Sequence, residues 1–305
     1  MRFNWNTGLL VLALAARSAA SMKVLVTGAG GRTGALVFEQ LKSEKYAALA
    51  QPVGLARSKA SLKKLRKAGA APGEVISADI TKAGELKGAM EGCEAVVLCT
   101  SATPKIIKRS LVKLMFNKVL GRPGRPEFKF GPGGTPEEVD WIGAKLQIDA
   151  AKEAGVMKFV FVSSMGGTDP GNFLNTIGKR ADGAGGDILL WKRKAERYLI
   201  DSGLDYTIVH PGGLLDDAGN ERELTVDVDD NLMKAPSRSV PRADVARVCC
   251  AALFAPEASN RSFDLASNAK GEGVVTGDDI GPLFASLGGK SCDYSNAAPD
   301  PPSIF

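Results

Sequence analysis

"VTGAGGRTGALVFEQL", residues 26–41, carries glycines at 28, 31 and 34 between an apolar run, "MKVLVT" (22–27), and a stretch of helical spacing. The order strand, glycine turn, helix is the context that a dinucleotide cradle requires. Gly28 permits a turn that a Cβ would block, Gly31 lets the backbone approach a pyrophosphate, and Gly34 lets the helix pack closely on the strand. The helix N-terminus then offers free N–H groups and a partial positive charge to the phosphates. A plain structural turn is the competing reading.

The pattern continues outward from this stretch. "AQPVGLA", "GEVISAD", "EAVVLCT", "KFVFVSS" and "DYTIVH" read as strands. They alternate with helical segments at 33–42, "SKASLKKLRKAG", 82–90, "EEVDWIGAKLQIDAAKEAG" and "DILLWKRKAERYLIDSG". Strands apolar on both faces, each followed by a helix, predict an α/β fold with a doubly wound parallel sheet, the Rossmann arrangement. The dinucleotide domain spans 22–290. Its last part, about 211–290, forms a small C-terminal substrate subregion holding the helix "RADVARVCCAALFA", the strand "RSFDLAS" and a helix near 278–287. Residues 291–305 are expected to be a disordered tail.

The chain has 305 residues with 44% hydrophobic content and a net charge of +5, which supports a large core and gives no reason to invoke nucleic acid. It holds one histidine, His210, so a histidine metal centre or a Ser–His–Asp triad would depend on that residue alone. No metal site is expected. The five cysteines include the adjacent pair Cys249 and Cys250, with no C-x-x-C, and read as buried thiols of a reducing compartment. Residues 1–21 combine Arg2, an apolar stretch from Leu9 to Ala16 and small residues, the pattern of a signal or targeting segment, with a plain N-terminal extension as the alternative. The apolar stretch is too short for a transmembrane span. Residues 102–135 carry eight lysines and arginines against Glu127 alone. This basic insertion reads either as a solvated loop or as a lid that attracts an acidic substrate or partner.

The second strand ends in Arg57 and Ser58 where an NAD site would place a carboxylate, and Arg32 lies in the glycine loop. Two guanidiniums near the adenosine ribose favour a 2′-phosphate, hence NADP(H). Asp79 and Ile80 follow the third strand and suit the adenine edge and face, although Asp79 can equally cap the next helix. "CTSA" (99–102) ends the fourth strand, where backbone passes the ribose.

These stretches, with "VDWIGAKLQIDAAKEAGV", "VSSMGGTDP", "ILLWKRKAERYLIDSGLDYTIVHPGGL" and "VPRADVARVC", resemble the atypical short-chain dehydrogenase/reductases of plants, algae and cyanobacteria, from Lys23 to about Phe284. The resemblance implies an NADP-binding domain with Gly28, Gly31, Arg32, Thr33 and Gly34 at the phosphates and Arg57 at the 2′-phosphate. It places Thr100 and Ser101 by the ribose, Lys194 on the nicotinamide ribose, and Pro211 and Gly212 beside the carboxamide. It puts Ser164 at the end of the fifth strand, so Ser164 and Lys194 are the candidate catalytic residues. It also implies a plastid location, with the secretory pathway or cytoplasm as alternatives. Ordinary members carry Tyr-x-x-x-Lys, whose lysine lowers the tyrosine pKa. Four residues before Lys194 stands Leu190, and before Lys192 stands Ile188. Three readings follow: a reductase of a small molecule with water, substrate or His210 as proton donor; a non-catalytic NADP sensor or assembly factor; or a relic with Trp191 and the basic insertion as a partner surface.

Overall fold

The computed structural model describes residues 21–122, 124–180, 185–295 and 298–303; residues 1–20 of the expected targeting segment lie outside the described residues. The chain runs β1 (Met22–Thr27), α1 (Arg32–Leu41), α2 (Glu44–Ala47), β2 (Ala50–Ala56), α3 (Lys59–Lys67), β3 (Val75–Ser77), α4 (Ala83–Met90) and β4 (Ala95–Leu98). After the insertion come α6 (Ala144–Glu153), β7 (Lys158–Val162), α7 (Ile188–Asp201) and β8 (Asp205–Pro211). The C-terminal part holds β9 (Gly213–Leu215), β10 (Leu224–Asp227), β11 (Ser239–Pro241), α8 (Arg242–Ala252), β12 (Arg261–Ser267) and α9 (Gly281–Ser286).

The sheet order is β3-β2-β1-β4-β7-β8-β12-β11-β9, with β10 paired to β12. The strands from β3 to β12 pair in parallel, and β10 and β11 run antiparallel to β12. The chain winds outward from β1 through β2 to β3, then crosses to β4 on the other side of β1. That reversal opens a crevice at the carboxyl ends of β1 and β4, the usual ligand position in such sheets. Alternation of side chains along each strand feeds two cores. Val24, Val26, Val97 and Val209 pack with Val37, Phe38, Val245 and Val248 of α1 and α8 on one face. Leu25, Val96, Phe159 and Ile208 pack with Leu86, Ile148, Ala195 and Leu199 of α4, α6 and α7 on the other. Cys249 and Cys250 sit in the first core, and all five cysteines are free thiols.

Three local expectations change. The expected long helix over 137–155 opens with a π-helical turn, Glu137–Gly143, before α6 begins. The basic insertion is folded as well as charged: β5 (Lys105–Ile106) pairs antiparallel with β6 (Phe128–Lys129), and α5 (Lys108–Val119) stands between them. The described residues of the tail expected to be disordered, 291–295 and 298–303, are anchored to the body. Cys292 is buried, the Tyr294 hydroxyl donates to Glu196 at 3.0 Å, Asp300 holds Lys194 and Arg197, and the Ser303 hydroxyl donates to Glu137. These polar anchors carry no periodic pattern, so composition alone reads the segment as loose.

Candidate functional site

The glycine turn follows β1 and meets the end of β4. Gly28 has φ +67°, and a Cβ there would lie 2.9 Å from the Cys99 carbonyl oxygen. A Cβ on Gly34 would overlap the Gly28 carbonyl, so helix and loop could not close up. Gly31 is the N-cap of α1; no side chain caps the helix and no acid stands in its first turn. The first N–H groups of α1 are thus left for an anion, in a cradle that side chains would fill. Gly31→Val adds a branched side chain on the phosphate side at a position whose φ of −79° tolerates it. It is expected to weaken NADPH binding at least about a hundredfold, about 2.7 kcal/mol. Titration followed by nucleotide fluorescence checks this, and normal binding by the folded variant would refute the cradle.

On the adenosine side Arg57, which is exposed, donates from Nη1 to the Gly133 carbonyl at 3.2 Å and stands 3.7 Å from Asp79. Burial works against ionisation of Asp79, but the Thr81 N–H and hydroxyl donate to it, and with the Arg57 charge they hold its carboxyl below the usual range. Asp79 is therefore committed to its own turn. Ile80 is buried against the position of Gly143, in the core. Arg32 points elsewhere: Nη1 pairs with Asp216 at 2.9 Å, a carboxylate shared with Arg242. Arg57 is held on the β3 side and Arg32 on the β9 side, so the two guanidiniums do not form one phosphate clamp. Thr33 is the second residue of α1.

At the crevice wall, Thr100 Oγ1 accepts from Gln147 at 3.3 Å, and Ser101 is exposed. The Ser164 hydroxyl donates to the Met165 carbonyl at 3.1 Å. The Pro211 carbonyl accepts from the Met165 N–H at 3.1 Å, and the Gly212 N–H donates to Leu265 at 2.9 Å. A Cβ on Gly212 would overlap the Arg238 carbonyl, so β8 can turn into β9 here only as glycine.

The two lysines of α7 stand in different surroundings. Lys194 lies on the outer side of α7, with Nζ 3.2 Å from Asp300 and 4.5 Å from the Trp141 ring centre. Lys192 is buried, with Nζ 2.9 Å from Asp140 Oδ1 and 5.7 Å from the Phe161 ring of β7. Asp140 Oδ2 accepts from the Ala102 N–H at 3.1 Å, just after β4. The buried ammonium therefore sits at the carboxyl ends of β4 and β7, on the crevice side. Its charge reaches the Cys99 thiol, which burial pushes up to about 12 despite the nearby lysine. Two residues along a helix turn a side chain by about 200°, so only one of the two lysines can face the sheet. Leu189, Ala195, Glu196 and Leu199 share the inward face with Lys192, and that spacing is the signal that could have found it. Trp191 is buried too, so it offers no partner surface.

A sequence profile of the family described as NAD(P)H-binding matches residues 28–256, from the first cradle glycine to the end of α8 and just beyond. The chain belongs to this NAD(P)H-binding family. An uncharacterized chloroplastic protein of Arabidopsis thaliana is 45% identical over 273 residues, 90% of this chain and 78% of that protein. Sanguinarine reductase of Eschscholzia californica is 42% identical over 284 residues, covering 89% and 98%. Among solved structures, a putative NAD-dependent epimerase/dehydratase from Bacillus halodurans superposes with a TM-score of 0.64 at 24% identity, covering 88% of this chain and all of that one. These matches set the chain among the atypical short-chain dehydrogenase/reductases, with NAD(P)H as its cofactor, and the uncapped α1 N-terminus and glycine cradle fit that group.

In this NAD(P)H-binding protein every tyrosine is committed away from the crevice. Tyr46 stacks on Phe254, the Tyr198 hydroxyl donates to Asp149 at 2.6 Å, Tyr206 starts β8 at its amino end, and Tyr294 donates to Glu196. Sequence reasoning missed the cluster that Tyr294 joins. His210 is buried with Nε2 3.1 Å from Glu196, Nδ1 3.4 Å from Asp264 and 3.7 Å from the Cys292 sulfur. Burial alone would strip its proton, but Glu196 and Asp264 outweigh burial and hold the imidazole protonated. Glu196, itself buried, is lowered to about 2 by His210, Arg193 and the Ser163 hydroxyl. Asp264 is raised by burial in spite of His210. His210, Asp264 and Cys292 bring ligand atoms within 4.8 Å of one another. With Glu196 on Nε2 and with Asp264 and the Cys292 sulfur near Nδ1, the histidine stands between two carboxylates, the arrangement of a buried ion-pair cluster.

Proposed function

We propose that this protein is an NADPH-dependent reductase of a small conjugated acceptor, a flavin or quinone or a related electrophile, working without a tyrosine acid. The observation that carries the reading is Lys192, a buried ammonium at the ends of β4 and β7 beside the glycine cradle. The nicotinamide-ribose role expected of Lys194 passes to Lys192, held in place by Asp140, with Thr100 and Ser101 along the ribose path and Pro211 and Gly212 at the carboxamide. NADPH, when bound, supplies the hydride. The chain's part is to bind the phosphates on α1, orient the ribose and keep the crevice closed behind. A conjugated acceptor spreads the added charge over its ring system, so its proton can arrive from water without a precisely set acid. The relationship to sanguinarine reductase supports a small-molecule substrate, and the chloroplastic relative supports a plastid location.

NADP is preferred to NAD on the strength of Arg57 alone. Its present contacts use Nη1, and the guanidinium fork keeps further donors for a 2′-phosphate. Arg57→Asp is expected to weaken NADPH by about 1–3 kcal/mol while leaving NADH nearly unchanged. Equal losses for both nucleotides would assign Arg57 to the fold instead.

The deciding experiment follows NADPH oxidation with flavin, quinone and sanguinarine acceptors. Turnover above the enzyme-free rate, lost in Lys192→Met, supports the reductase. The commitment of all four tyrosines elsewhere favours a second reading, an NADP-binding sensor or assembly protein, and tight NADPH binding with no turnover on any acceptor would select it.

A further inference from the structure

The basic insertion leaves the carboxyl end of β4 and returns to the π-helical turn, and its helix α5 presents the wrong side to the protein. On α5, Ser110, Leu114 and Asn117 share the inner side. Ser110 is buried, donating to the Ile107 carbonyl and accepting from the Glu127 N–H, and Leu114 and Asn117 lie against Gly124. The opposite arc is apolar and open. Leu111, Val112, Met115, Phe116, Val119 and Leu120 follow one another at helical spacing of three, four and one, and all are exposed; Val119 is 85%, Met115 71% and Phe116 67% accessible. At 100° per residue these six cover about half of the helix circumference. Contiguous apolar surface of this kind on a soluble body marks an interaction site.

The rim is cationic. Lys105, Lys108 and Arg109 before the arc and Arg122, Arg125 and Lys129 after it are exposed, and Glu127 is the one acid between 102 and 135. Arg125 also lies 4.8 Å from the ring centre of the exposed Phe173, which extends the apolar surface at the base of the insertion.

We propose that α5 is an interfacial helix that lays its apolar arc into an anionic lipid surface, with the lysines and arginines at the headgroups. Apolar side chains on one face and basic residues at the rim are the pattern of helices that lie in the plane of a bilayer interface. The charge argues against a second copy of the chain, because a two-fold pairing of this face would bring two cationic rims together. An acidic protein would need a groove shaped to these six side chains, whereas a bilayer interface accepts them without fixed shape. No described helix is long and apolar enough to cross a membrane, so attachment through α5 would be peripheral and reversible. This proposal is independent of the reductase reading.

The test is flotation of the full chain with vesicles of phosphatidylcholine alone or mixed with phosphatidylglycerol, at low and high ionic strength. The expected result is binding to the mixed vesicles at least about tenfold above the neutral ones, weakened by salt. The pair Met115→Asp with Phe116→Asp, and separately the pair Lys108→Glu with Arg109→Glu, should each lower it about tenfold with NADPH affinity unchanged, which shows that the variants are folded. Wild-type binding that persists in both double variants would overturn the proposal by assigning attachment to another segment, such as residues 1–20. Failure of the wild type to discriminate the vesicles would overturn it, as would a dimer in sedimentation velocity that only the Met115/Phe116 pair dissolves, or retention on polyglutamate without vesicle binding.

Discussion

Lys192→Met is expected to lower NADPH turnover by at least about tenfold and stability by about 3–5 kcal/mol. Asp140 is almost wholly buried, and once the ammonium is gone its carboxylate keeps the Ala102 N–H but no counter-charge. Removing one partner of a buried pair leaves the other ion stranded in low dielectric, which is more damaging than losing both. The double variant Lys192→Met with Asp140→Leu should therefore regain much of the stability and none of the turnover. Urea denaturation and steady-state rates on the three proteins separate the two roles. Lys194→Met gives the contrast: its ion pair with Asp300 is partly exposed, and its loss should change stability by no more than about 1 kcal/mol. If Lys194 rather than Lys192 controlled turnover, the crevice would have to be rebuilt around the outer face of α7.

Glu196→Ala is expected to be destabilising by a similar amount, about 3–5 kcal/mol. It strands the His210 imidazolium, removes a counter-ion of Arg193 and leaves the Ser163 and Tyr294 hydroxyls without their acceptor. The pH dependence has two limbs. The carboxyl of Glu196 is depressed from 4.5 to about 2 in the folded protein, so its contribution is complete above about 4.5 and disappears as pH falls toward 2. His210 is raised well above 6.5, so its contribution is complete below about 6.5 and declines as pH rises toward the folded value. The cluster is thus strongest between about 4.5 and 6.5. Thermal melts should show wild type losing stability on the alkaline side of that window, and Glu196→Gln should flatten both limbs. An unchanged profile in Glu196→Gln would remove the cluster as the source.

The frame of the molecule was legible because it repeats. Strands such as "KVLVT" and "EAVVLCT" are apolar on both faces, and each glycine of residues 28–34 answers a local need for space, so fold and phosphate cradle follow from neighbours in the chain. The family resemblance then supplies the expected positions for the rest of the cofactor. What the letters do not carry is which way a side chain turns. Lys192 and Lys194 are equally plausible as letters, and only the inward face of α7, shared with Leu189, Ala195 and Leu199, separates them. Arg32 and Arg57 are both near the adenosine on paper, yet Asp216 draws one away from the other. The insertion at 102–135 announces itself through its charge, which masks the helical recurrence of its apolar residues. His210 was visible as a lone histidine, but its partners come from α7, β12 and the tail, far apart in sequence.

That last segment has a consequence for how the molecule is made. Cys292 and Tyr294 close over Glu196 and His210 from more than eighty positions downstream. While the chain is still emerging, the sheet can assemble strand by strand, but its buried charges remain open to water on that side. The ion cluster becomes sealed only after residue 294 has left the ribosome. Folding of the centre must therefore wait for this segment, and a chain cut short before Cys292 would expose a wet, charged seam that quality-control proteases can enter.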